Sequence, residues 1–280
     1  MIKKVICPTD FSPIANNAVE YAARLCQTLH AELCLLHLES VPALAPLISS
    51  GVVLEQNLET STESLRNHCV EVSSTFNIPC TYELKISGSG IGNSVNKYTD
   101  EESLIVCGTG GVDSIYDYFF GTNTYNVAKH AHVPVIVVPP NTTYRELKKM
   151  IFALSYDQTT PAFFKYIKDF IQGFSMELCF LHVSDTYIDL SGYKSEVGPD
   201  IFEVRKAEIA FELGAQIKAD FKQIYSKDIP GSLHHYLLES NADILAMTLH
   251  NQDFLAFLRG HSLVKELTET ANYPILILPV

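Results

Sequence analysis

The chain repeats itself. Glu32-Leu33-Cys34-Leu35-Leu36-His37 is answered by Glu177-Leu178-Cys179-Phe180-Leu181-His182, five identities in six at an offset of 145. The same offset lays Lys3-Lys4 over Lys148-Lys149. Near the ends of the two halves, Pro134-Val135-Ile136-Val137-Val138-Pro139 is answered by Pro274-Ile275-Leu276-Ile277-Leu278-Pro279 at an offset of 140. Collinear matches at both ends of a unit of about 140 residues mean that one folding unit is used twice. Any fold for this chain must therefore be buildable from either half.

Within each half, short apolar runs alternate with longer amphipathic ones, the pattern of a parallel sheet with crossover helices. Strands are expected near residues 3–8, 32–38, 80–86, 103–108 and 134–139, and again near 149–155, 176–183, 221–226, 243–249 and 274–279. Helices fill the gaps. Pro13 suits the start of the first helix, which carries Ala15, Ala18, Ala22 and Leu25 on one face and ends near Leu29. The connection Pro140 to Arg145 is short and polar, which divides the chain into two α/β domains, 1–143 and 144–280.

With 47% apolar and 19% charged residues, the chain has the core material of a globular protein. No apolar run approaches the ~20 residues of a membrane-spanning helix. Met1 to Asp10 enters Val5-Ile6-Cys7 without the apolar segment of an export signal, so a cytoplasmic protein is expected. Net charge is −12, shared as −7 and −5 between the halves, and no Lys/Arg-rich cluster offers a nucleic acid its phosphate contacts. The seven cysteines are odd in number, form no C-x-x-C pair and lie mostly in apolar stretches, as reduced buried thiols do.

One constellation carries chemistry. The fourth strand is followed by Gly108-Thr109-Gly110-Gly111, nine residues from Val112 to Phe120, then Gly121-Thr122-Asn123, giving G-x-x-G-x9-G-[S/T]. Glycines let backbone N–H groups approach an anion without an intervening Cβ. The Gly121 segment opens the next helix, whose free N–H groups and positive dipole end favour the same phosphates.

On these residues the chain resembles the universal stress protein family in its tandem form. The resemblance covers essentially all 280 residues, with the motif intact only in the first half. It implies two tandem doubly wound domains of the adenine nucleotide alpha hydrolase-like kind. Each would be a five-stranded parallel sheet of order 3-2-1-4-5 with helices on both faces, and open sheets of this kind place ligands where strands one and four meet. The resemblance further implies that Pro8-Thr9-Asp10 meets the adenine and ribose side of ATP, that main-chain groups of Leu38 pair with the adenine edge, and that Cys107, Gly108, Gly111, Gly121, Thr122 and Asn123 surround ribose and phosphates. Asp10 also suits a turn or helix cap. The last strands of the two domains would pair antiparallel within the chain, making the monomer a pseudo-dimer that leaves room for a further homodimer.

The pattern departs from the family in places. No cation stands between Gly108 and Asn126, whereas Asp113 and Asp117 do, so ATP binding would depend on Mg²⁺, with ADP and AMP as competitors. In the second half Thr248, Asn251 and His261 replace the three glycines, with Ser262 at the hydroxyl position, and Ser155 stands where Asp10 does. That half reads as a degenerate partner. Neither a general base nor a Walker lysine accompanies the glycines, so no catalytic or metal-ligating residue is assigned and any ATPase would be weak. Ser155, Asp157 and His261 lack a G-x-S-x-G turn, and the histidine pairs lack zinc-ligand spacing. Gly88-Ser89-Gly90-Ile91-Gly92 reads as a turn into a helix. The rival readings are a nucleotide-independent stress adaptor and a slow ATP hydrolase.

Overall fold

The computed structural model describes residues 1–40, 51–87, 94–109, 122–140, 142–154, 161–184, 200–248 and 273–279. In the first half these form β1 (Lys4–Pro8), α1 (Pro13–Leu29), β2 (Glu32–Ser40), α2 (Gly51–Phe76), β3 (Cys80–Ser87), β4 (Ser103–Gly108), α3 (Thr122–His130) and β5 (Val135–Val138). The second half supplies β6 (Lys149–Ala153), α4 (Pro161–Phe174), β7 (Glu177–Ser184), α5 (Asp200–Leu213), β8 (Ala219–Tyr225), α6 (Ile229–Glu239), β9 (Ile244–Thr248) and β10 (Ile275–Leu278).

Local signals explain where these elements begin and end. The Ser12 hydroxyl accepts the Ala15 N–H at 3.2 Å and Pro13 takes the first helical position of α1, where its missing donor costs nothing. His30 ends the helix in the left-handed region, at φ 54°. The strands β4, β5, β9 and β10 are buried nearly throughout, as strands covered on both faces must be.

The ten strands of the described residues join one sheet of order β3-β2-β1-β4-β5-β10-β9-β6-β7-β8. Every pairing is parallel except that of β5 with β10, where Ile136 lies opposite Leu276. That pairing satisfies two apolar strands that would otherwise be sheet edges and leaves β3 and β8 at the margins. One face carries Val5, Leu33, Leu35 and Val106 under α1 and α2, continuous with Phe163, Phe170 and Phe180 of the second half. The opposite face carries Ile6, Leu36 and Ile105, with Val127 of α3 and Leu237 of α6. Because both clusters contain residues from both halves, the two repeats share their core.

The segment between the repeats is more than a tether. Thr142 is 1% exposed despite its polar surroundings in sequence, and Asn17 of α1 donates to the carbonyls of both Pro139 and Thr142 at 3.2 Å. Tyr144 packs edge-on against Tyr21 with ring centroids 5.2 Å apart. Asp243, at the start of β9, receives the Lys148 and Lys149 N–H groups at 2.9 Å and pairs with Arg145 Nε at 3.0 Å. All seven cysteines are free thiols, six of them buried. Among the described residues, no helix is long and apolar enough to cross a membrane.

Candidate functional site

The ends of β1, β2 and β4 form the centre of interest, because β1 has its two parallel neighbours on opposite sides there. Thr9 is buried and spends its polar groups locally: its N–H donates to Leu36 O at 2.9 Å and its Oγ1 accepts from Phe11 N at 3.1 Å. Asp10 is exposed, and its Oδ1 accepts the Ser12 N–H at 3.0 Å, an Asx turn that leads directly into the capped start of α1. Between them Phe11 sits at φ 63°. A left-handed aromatic residue costs about 1–2 kcal/mol and persists only where its surroundings hold it. Here the two side-chain turns hold the backbone, and the Phe11 ring packs 4.8 Å from that of His37.

His37 is a residue that the motif search passed over. Its Nδ1–H donates to Thr9 O at 2.7 Å, its Nε2 lies 3.3 Å from Glu39 Oε2, and Ser61 of α2 donates to the same oxygen at 3.1 Å. This chain of contacts fastens the end of β1 to β2 and α2. The second half repeats its first link, with His182 Nδ1 2.9 Å from Leu154 O, 145 residues on in both partners. Burial pushes the His182 imidazole below its usual pKa, against the opposing pull of the Leu154 carbonyl. The signal was present in the sequence, since the repeated hexapeptide ends on histidine in both halves.

The strand β2 outruns β1. Pairing between them stops at Pro8 opposite Leu36, while β2 continues to Ser40 beside β3. Leu36 O faces β1, so by the two-residue alternation of a strand the N–H and C=O of Leu38 face the same side, past the point where β1 has ended.

Gly108 closes β4 against the first turn of α1. A Cβ there would lie 2.9 Å from Ile14 O and 2.9 Å from Ile14 Cγ2, so the glycine is required by packing. Its carbonyl accepts the Thr124 hydroxyl at 2.7 Å, which draws the first turn of α3 back onto the end of β4. Thr109 N–H continues the sheet by donating to Val138 O at 3.1 Å. The Cys107 side chain is enclosed in the core on the α3 face, where burial pushes its thiol up to about 12, so it stays protonated, while its main chain lies at the end of β4. Gly108→Ala is expected to push α1 away from β4 and lower stability by about 1–3 kcal/mol, measured by urea unfolding.

Of the other expected residues, Pro8 ends β1, and Thr122 and Asn123 open α3, their side chains lying outside the described residues. Gly110, Gly111, Val112, Asp113, Asp117 and Gly121 also lie outside them, as do Gly88 to Gly92, Ser155, Asp157, His250, Asn251, Gly260, His261 and Ser262. Thr248 is buried at the end of β9. The structure thus brings together Pro8, Thr9, Asp10, Leu38, Cys107 and Gly108 around one set of strand ends.

The full length of this chain has structural counterparts. A universal stress protein from Archaeoglobus fulgidus is similar over 99% of this chain and 98% of its own, with a TM-score of 0.70 at 15% identity. A Pseudomonas aeruginosa protein described as a universal stress protein is similar over 99% of this chain and 93% of its own, with a TM-score of 0.54 at 10% identity. At these identities the likeness establishes a shared α/β fold. No curated protein matches the sequence. The model of the universal stress protein family matches residues 1–139. Through that first half, the chain belongs to the universal stress protein family.

Proposed function

We propose that the first half binds an adenine nucleotide, with ATP favoured over ADP and AMP, and that the protein acts as a stress-response regulator. The observation that carries this reading is the Thr124 to Gly108 hydrogen bond, which sets the start of a helix beside the ends of β1 and β4. A helix start offers unpaired N–H groups and a positive dipole end to phosphate. Leu38 would receive the adenine edge through its main chain, and Thr9 and Asp10 would flank adenine and ribose. Main-chain groups of Cys107, Gly108, Gly111 and Gly121, with Thr122 and Asn123, would line the phosphates.

The residues present fit such a ligand. Asp10 keeps one exposed carboxylate oxygen beyond its turn, a hard donor of the kind Mg²⁺ takes, and Mg²⁺ would supply charge neutralisation that no side chain from Gly108 to Asn126 provides. The second half, which lacks the glycines, would support the fold and its regulation.

Isothermal titration with ATP, ADP and AMP tests this reading. Micromolar binding is expected, with ATP affinity falling at least about tenfold when Mg²⁺ is chelated. Gly111→Val should remove the binding by placing a side chain in the phosphate path. Absence of heat with all three nucleotides would overturn the proposal. It would favour the second reading, a nucleotide-independent adaptor, for which the use of Asp10 Oδ1 in its own turn already speaks.

A further inference from the structure

The strand β3 ends the sheet on one side, and its eight residues Cys80–Ser87 make it one of the longer strands. Long edge strands are normally blunted, because their unpaired backbone groups template the addition of another strand. Among its described residues, this one keeps large apolar side chains in solvent. Tyr82 is 36% and Ile86 56% exposed, both on the face where Leu84 packs into the core. On the opposite face Glu83 and Lys85 stand two residues apart, about half exposed, and meet each other at 3.3 Å.

The order Tyr82-Glu83-Leu84-Lys85-Ile86 is complementary to itself when reversed. An antiparallel partner strand centred on Leu84 would set Glu83 against Lys85 of the second molecule and Lys85 against its Glu83. The same register sets Tyr82 against Ile86, twice, and Leu84 against Leu84. Opposite charges and aromatic with β-branched residues are the cross-strand pairs that stabilise antiparallel sheets. A slip by one residue would place apolar side chains on the charged face, so the pattern selects its own register. Beside Tyr82 lies a depression of about 490 Å³ between α2 and β3, lined by Leu58, Thr62 and Arg66 among others, next to the position that Ile86 of the second molecule would take.

We propose that β3 is a homodimer edge, through which two molecules pair antiparallel about Leu84. The opposite margin of the sheet lacks this chemistry. In β8 the Lys222 ammonium lies over the Tyr236 ring at 4.7 Å, and the residues flanking Asp220 and Lys222 outside the central Phe221 are Ala219 and Gln223. A two-fold pairing closes on itself, so it yields a dimer and no polymer. Such an interface is small, and the net charge of −12 opposes it at low salt. Association should therefore be weak and should strengthen when ionic strength rises from about 0.01 M to about 0.15 M.

Sedimentation velocity of the full chain at 0.15 M salt tests the inference. The mass should rise from 31.2 kDa towards twice that value as concentration increases to about 0.5 mM. Lys85→Glu or Glu83→Lys alone sets like charges opposite each other at two places, and each should weaken dimerisation by about tenfold or more. The double exchange Glu83→Lys with Lys85→Glu restores opposite charges and should return affinity to within about threefold of the original. Circular dichroism would establish that each variant is folded. A mass fixed at 31.2 kDa throughout, a dimer indifferent to the single substitutions, failure of the double exchange to restore pairing, or growth beyond a dimer would each overturn the proposal.

Discussion

Phe180→Ala is expected to destabilise the protein by about 3–5 kcal/mol, seen as a lowered urea midpoint. The Phe180 side chain is fully buried in β7. Its ring stacks on Phe221 with centroids 5.1 Å apart and meets Phe152 at 5.5 Å and Phe163 at 6.5 Å. Deleting it removes one aromatic from the middle of a four-ring cluster, whose other members are held by β6, α4 and β8 and cannot close the gap. Phe180 is also the one departure from identity between the repeated hexapeptides, since Leu35 stands at its place in the first half. Phe180→Leu should therefore be milder, about 1–2 kcal/mol, because it keeps an apolar side chain and leaves a smaller void. A Leu variant as damaging as Ala would contradict this account of the cluster.

Asp243→Ala should cost about 3 kcal/mol, and Arg145→Ala about 1 kcal/mol. The contrast follows from exposure: the Arg145 side chain is 54% exposed and that of Asp243 13%. Asp243 receives two backbone N–H groups at the entrance to β6. Alanine would leave both without a side-chain acceptor, whereas the solvated Arg145 guanidinium contributes little beyond its contacts with Asp243 and the Ala242 carbonyl. Asn at 243 keeps one acceptor oxygen and should fall between the two. Equal losses for Arg145→Ala and Asp243→Ala in urea unfolding would assign the energy to the ion pair instead of the backbone contacts.

Much of the fold was legible because apolar alternation and internal repetition reinforce each other. The Glu-Leu-Cys-x-Leu-His hexapeptide marks β2 and β7, and the proline-flanked apolar runs mark β5 and β10. Periodicity records which face a residue occupies. It does not record which distant polar groups meet. Thr142 looked like linker and is buried, because Asn17 of α1 holds its carbonyl and that of Pro139. Asp10 carried two readings in the sequence, and its Asx turn is the local one. The role of Gly108 was legible only as freedom of approach for an anion, whereas the structure adds a steric reason in Ile14. His37 escaped notice because its partner is a carbonyl 28 residues away, and a carbonyl leaves no mark in the residue code.

The single antiparallel pairing at the centre of the sheet gives the molecule two poles. Strands β1 to β4 run with β5, and β6 to β9 run with β10, so reversing direction between β5 and β10 turns one half head to tail against the other. The Thr9–His37 end and the Leu154–His182 end consequently look out in opposite directions. Any coupling between the two poles has to run through the hydrophobic interior that the two halves share.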